Sequence, residues 1–481
     1  MGLLGATPRR RRIVIAVAVV LAALAAVPFA VRAHGRSLLA EVRARHAAAG
    51  LGTSARDLAA LLPPVDADLQ RRCDAQERAM NDPMIQERVQ EAMSRSGDEE
   101  REQVDAWIVG ACDAPPDSLD AGLERLRPIM EPYAAILRED GLLLGTAARL
   151  SSVPASTTVR FRDVLPLMLS KINVWTEATR WLRSSALRGP DAGPFLDSLD
   201  GQYRALLHPA SQVDAIMANL FAAERDRTYV ELGLLGRLPP DRAVRWLVEE
   251  PEHLRRCADG LRASRLLFLS AVADGLADGS VGAGDLGPGA PSWGSPGDWL
   301  ARAQLGPDLW LRGMEYLAQL LDLHVDAEAR LRGLPATLDP ETIRSWTTGA
   351  PKGSVVSSAL SGFEAYGRSG IGGRTLRRMA RLVVRTLACR AERGRLPADD
   401  AELRSWLGEA ASALDPGPLD LPIRYESPAP GVLRLAPDPK GPLPALQGGR
   451  RELEEATLLG RPVATGSIVW ESEGIEVHLA K

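Results

Sequence analysis

The first strong pattern along the chain is a run with no polar alternation at all. From Ile13 to Val31 roughly 19 residues pass without a charge, which as a helix spans about 28 Å, close to the hydrocarbon thickness of a bilayer. Arg9 to Arg12 precede the run, and positive charge flanking such a segment stays on the cytoplasmic side. The pattern therefore predicts a cytoplasmic tail over 1–12 and a transmembrane signal-anchor helix over 13–31, with the rest of the chain outside. Val31-Arg32-Ala33 also offers a signal-peptidase site. Cleavage after Ala33 thus stays open beside retention, and length favours the anchor.

Beyond residue 34 the apolar positions recur at helical spacing, interrupted by Gly, Pro and Asp. "VRFRDVLPLMLSKINVWTEATRWLRSSALRG" and "PASQVDAIMANLFAAERDRTYVELGLLG" are long amphipathic stretches, each closed by glycine. Two segments, "GRLPPDRAVRWLVE" and "GRLPADDAELRSWLGE", repeat the same signals of a helix stop at Gly, a proline near the next start and an acidic first turn. A helical domain over 34–277 is expected, as a bundle or an irregular solenoid. A Gly/Pro linker over 278–297 and a second helical segment over 298–395 follow. Near the end the period changes to two: in "SIVWESEGIEVHLA", Ile475, Val477 and Leu479 alternate with Glu476 and His478. The fold class read from the pattern is mainly α, with an N-terminal transmembrane helix and a small α+β unit over 396–481.

Composition narrows the function classes. The hydrophobic fraction is 45% and the charged fraction 25%, which is typical of folded domains and too apolar for disorder. Of 58 basic residues only Lys171, Lys352, Lys440 and Lys481 are lysines, a skew that GC-rich coding produces, so arginine abundance alone does not indicate phosphate binding. A net charge of −4 argues against a dedicated nucleic-acid partner. Cys73, Cys112, Cys257 and Cys389 form no CxxC pair. A Cys73–Cys112 bridge is conceivable in an oxidising compartment.

Candidate chemistry is sparse. "GAGDLG" at 282–287 has the spacing of a dinucleotide fingerprint, but no helix pattern follows to supply the amides. His253 and Cys257 lie four apart on one helical face, and two ligands do not make a metal site. Glu249 and Glu250 before Pro251 read as a solvated helix end. No catalytic residue, cofactor or metal ligand is nominated, and the chain reads more as a non-enzyme. The most organised charge feature is a stripe about 100° wide formed by Arg374, Arg377, Arg378, Arg381 and Arg385, with Leu376, Met379, Val383 and Leu387 opposite. Such a face suits contact with an anionic surface, or it is simply a solvated face.

The stretch "LACRAERGRLPADDAELRSWLGEAASALDPGPLDLPIRYES" resembles the segment after the long helix in pseudopilins of type II secretion, through Gly394, Pro397, Leu414, Asp415, Pro416, Pro422 and Tyr425. The whole chain resembles a group of single-pass bacterial envelope proteins. That resemblance implies an inner-membrane location with the bulk extracytoplasmic, and a scaffold or interaction protein of the envelope or of a secretion apparatus. Its partners would be the membrane, through the N-terminal helix, and a protein of the envelope. The alternative is an envelope hydrolase whose acidic residues the sequence does not single out.

Overall fold

The computed structural model describes residues 8–61, 181–187, 189–205, 211–249, 252–273, 317–334, 355–415, 421–438 and the strands between 449 and 479, with a few isolated positions besides. The expected linker at 278–297, the "GAGDLG" stretch and the Cys73–Cys112 pair lie outside them.

Helix α1 (Pro8–Ala48) is a single rod of 41 residues, about 60 Å long. It corrects the sequence reading of its N-terminal part: among the described residues no helix is long and apolar enough to cross a membrane. The transmembrane, signal-anchor and single-pass assignments fall with that finding. The physical reason lies in the continuity of the rod. The apolar run does not end as a separate element but shares one helix with Arg36, Arg43, Arg45 and His46, and its C-terminal third packs on protein. Leu39, Val42 and His46 are buried. Arg43 donates to the Leu269 carbonyl at 2.9 Å, and Arg45 donates to Asp322 at 2.7 Å. A short α2 (Ala55–Leu61) follows, with the Asp57 carboxylate accepting from the Thr53 and Ser54 amides.

The body is mainly helical with a small antiparallel sheet. Helix α3 (Gly193–Ala205) leads to α4 (Gln212–Leu234), whose first turn is capped by the Ser211 hydroxyl accepting from the Asp214 amide at 3.2 Å. Gly236, at φ 67°, ends it, with the Arg237 amide folding back to the Leu232 carbonyl. Next come α5 (Pro240–Val248) and α6 (His253–Leu267), the latter running into a π turn at Phe268–Ala273. The longest helix of the body, α7 (Val355–Arg393), lies against α4 and α6. Gly394, at φ 76°, stops it. Helix α8 (Asp400–Leu407) opens with the Asp399 carboxylate accepting from the Glu402 amide, as its acidic first turn predicts.

The strands are β1 (Ile423–Glu426), β2 (Val432–Pro437), β3 (Gly449–Leu453), β4 (Ala456–Leu458), β5 (Arg461–Val463), β6 (Gly466–Glu471) and β7 (Gly474–Leu479). Five of them form an antiparallel sheet in the order β1-β2-β7-β6-β3, and β4 and β5 pair separately. In β7 the expected alternation holds: Ile475, Val477 and Leu479 are buried. Register sets Leu433 opposite Val477 and Trp470 opposite Ile475. These side chains join Leu376, Met379, Val383 and Leu387 of α7 and Phe221 and Val230 of α4 in one apolar core. Helices and sheet therefore share a single interior.

Candidate functional site

Helix α7 carries the arginine stripe, and the structure turns Arg377 and Arg378 inward. Arg377 is fully buried and Arg378 nearly so, while Arg374, Arg381 and Arg385 are half-buried. Arg377 pairs with the buried carboxylate of Asp226 on α4, and its Nη2 donates to Glu249 at 2.7 Å. Arg381 donates to the Trp246 carbonyl at 2.7 Å and also to the Glu249 carbonyl. Two cations from α7 thus satisfy the terminal carbonyls of α5, where the helix dipole favours positive charge.

Arg378 faces the other way. Its guanidinium donates to the carbonyls of Ala413, at 2.7 Å, Asp415, at 2.8 Å, and Leu421, at 2.9 Å. One side chain therefore ties the pseudopilin-like segment to the long helix. An external anion cannot reach Arg377 or Arg378 as the protein stands, so the sequence stripe is an internal fastening at those positions.

The network extends to residues that the sequence pattern did not nominate. Arg225 of α4 donates to Asp200 at 2.5 Å and to Glu249 at 2.9 Å. Tyr229 donates to the second Asp200 oxygen at 2.9 Å, and the Trp246 indole N–H donates to Asp226 at 2.8 Å. The rings of Tyr229 and Trp246 stack at 5.7 Å. Glu249 is not the solvated helix end that its sequence suggested, because Arg225 and Arg377 both grip it. Burial works to raise its pKa, but the two arginines prevail and hold the carboxylate below its usual range. Burial likewise opposes the charge on Arg225, yet Asp200 and Glu249 hold its pKa well above the ordinary value. Arg381 goes the other way: burial, then repulsion from Arg377, brings it down to about 10.

These carboxylates accept from arginine, tyrosine and indole donors, so the cluster's chemistry is the fastening of four helices, α3, α4, α5 and α7. A signal did exist in the sequence. Arg225-Asp226-Arg227 interrupts the middle of an otherwise apolar helix, where charges persist only with partners.

His253 and Cys257 are both buried in α6. The Cys257 sulfur accepts from Asn219 at 3.2 Å, and among the described residues no group of three metal-ligating side chains assembles.

The second candidate is α1. Its N-terminal half exposes Ile13, Val14, Ile15, Val17, Val19, Val20 and Leu21, with Leu21 60% and Phe29 73% accessible. At 100° per residue these positions fall on every side of the rod. Exposed apolar surface of this extent marks an interaction site.

No family model, no curated protein and no solved structure matches the chain.

Proposed function

We propose that the protein is a helical scaffold or interaction protein of the bacterial envelope, held against lipid by the apolar half of α1. The observation that carries this reading is the all-round exposure from Ile13 to Leu21 on a helix whose other end is fastened to the body. A single partner helix would cover a stripe about 100° wide, whereas a lipid surface can receive the exposed apolar half in any rotation of the rod. The reading concerns contact with lipid and not a crossing. Arg12, exposed beside the apolar half, adds attraction to anionic headgroups. The body favours a scaffold because its strongest charge network fastens helices to each other.

The link to secretion rests on the pseudopilin-like segment. What supports it is the way Gly394, Pro397, Leu414, Asp415 and Tyr425 work together behind a long helix: Gly394 stops α7, Leu414 is buried, and the backbone at 397 and 415 is bound by Tyr425 and Arg378. Flotation of the full chain with phosphatidylcholine–phosphatidylglycerol liposomes tests the lipid contact. Wild type is expected to float and to remain bound in high salt, since apolar burial is not screened. Ile15→Asp with Val19→Asp should leave it at the bottom. Wild-type protein that stays unbound, or that salt releases entirely, would refute the reading.

A further inference from the structure

Arg256 of α6 differs from every other arginine of the central cluster. Its side chain is fully buried, yet Nε, Nη1 and Nη2 all lack a hydrogen-bond partner. Its guanidinium carbon sits 3.9 Å from the centroid of the Tyr203 ring, which Arg225 also approaches, at 4.4 Å. The contrast between the two is informative. Arg225 holds two carboxylates, Asp200 and Glu249; Arg256 holds none. Stacking on Tyr203 satisfies the face of the guanidinium and leaves its edge donors unused.

The neighbours are in the same condition. Both ring nitrogens of His253, one helical turn earlier on α6, are buried without a partner, and so is the Tyr203 hydroxyl. His253 lies in the field of Arg256, Arg377, Arg374 and Arg225. Arg225 and Arg377 divide the carboxylates Asp200, Asp226 and Glu249 between them, so none of the three pairs with Arg256. Glu252, the further carboxylate felt by Arg256, already holds Arg255.

Arginine does not escape this by losing its proton under ordinary conditions, and a buried unpaired charge is among the most unfavourable arrangements in a protein. A buried guanidinium with unpartnered donors beside it calls for an acceptor with a negative charge and two oxygens, which the guanidinium fork binds bidentately.

The structure assigns Arg256, with the Tyr203 hydroxyl and His253 beside it, as the binding site of a small oxyanion, a phosphate or carboxylate group, at the centre of the helical body. The Arg256 fork supplies two parallel hydrogen bonds, the Tyr203 O–H a third, and His253 a further donor from one ring nitrogen. Bound there, the anion gives the unpartnered donors of α3 and α6 a shared acceptor.

Isothermal titration of the full-length protein in chloride buffer, with inorganic phosphate, sulfate and acetate in turn, tests the assignment. Saturable binding near one per chain is expected for at least one anion, and the order of affinities separates a phosphate site from a carboxylate site. Absence of saturable binding for all three overturns the proposal. Arg256→Met is expected to weaken binding by roughly tenfold or more, and Tyr203→Phe by several-fold, as the loss of charge-assisted bonds implies. A thermal-shift series guards against the general stabilising action of phosphate and sulfate: an equal, unsaturated rise in wild type and Arg256→Met would also overturn it. Should Arg256→Met not fold, Arg256→Lys, which keeps the charge and loses the fork, takes its place. Unchanged affinity in the variant that folds counts against the site.

Discussion

The phenol of Tyr425 donates to the carbonyl of Pro397 at 2.6 Å, bridging β1 and the turn that follows α7. Both residues are buried. Burial raises the Tyr425 pKa to about 12, so the hydroxyl keeps its proton and remains a donor through the physiological range. On the far side of the same segment, Arg378 gathers the carbonyls of Ala413, Asp415 and Leu421. The chain from 394 to 425 is thus held at two points by side chains that reach its backbone.

Tyr425→Phe keeps the ring and removes the donor, so the buried Pro397 carbonyl loses the only side-chain partner shown for it among the described residues. The expected cost is about 1–2 kcal/mol, read as a lower urea midpoint with an unchanged slope. A variant as stable as wild type would mean that the bridge contributes nothing.

Arg377→Met leaves Asp226, itself fully buried, with the Trp246 indole N–H and no arginine. Removing one partner of a buried pair typically costs about 3–5 kcal/mol. Combining Arg377→Met with Asp226→Leu removes both charges and should recover most of that loss. Guanidinium denaturation of the two singles and the double forms the cycle. Additive losses would show that the pair does not act as a unit.

The sequence made the β7 alternation, the acidic first turn of α8 and the glycine stops at 236 and 394 legible, because each depends on residues close in the chain. The inward turn of Arg377 and Arg378 within the arginine stripe was not legible, for the opposite reason. Helical periodicity shows which residues share a face but not what covers that face. Asp226 and Glu249, which turn Arg377 inward, lie more than a hundred residues away in the chain. The membrane span read into Ile13 to Val31 was overturned, while the helical continuation through "RSLLAEVRARHAAAG" was legible because nothing in it breaks a helix before Gly50, and α1 runs to Ala48. Arg256 left no signal, since one arginine among many carries no pattern.

Helix α7 meets α6 through two glycines. A methyl group at Gly370 would stand 2.7 Å from the Cys257 sulfur, and one at Gly373 would stand 2.8 Å from Cδ2 of His253. Gly→Ala in a helix ordinarily gains up to about 1 kcal/mol, but overpacking a buried contact costs about 1–3 kcal/mol. Gly370→Ala is therefore expected to destabilise on balance. Adding Cys257→Ala, which vacates the space, should make the alanine at 370 favourable. Thermal unfolding of the three variants gives the sign, and a stabilising Gly370→Ala single would contradict the close approach.

Two histidines should make the fold sensitive to mild acid. Burial, reinforced by Arg256, Arg377, Arg374 and Arg225, holds the His253 pKa well below its ordinary value. Burial also brings His324 down to about 4, although its Nδ1 bonds the Leu320 carbonyl. Both are therefore neutral in the folded chain at pH values where the unfolded chain has begun to protonate them. The unfolded state then binds more protons as pH falls below about 6.5, and stability drops. Their contribution is complete above that pH and is lost toward about 4 for His324, with a limiting slope of about 1.4 kcal/mol per pH unit for each histidine. Glu249 and Asp57, whose pKa values are lowered, act only at more acid pH, so the interval from about 6.5 to 5 isolates the histidines. Urea midpoints across that interval in chloride buffer should slope downward for wild type, and His324→Phe should flatten the profile by roughly half. A wild-type profile level from pH 7 to pH 5 would show that the two imidazoles accept protons as readily in the folded chain as in the unfolded one.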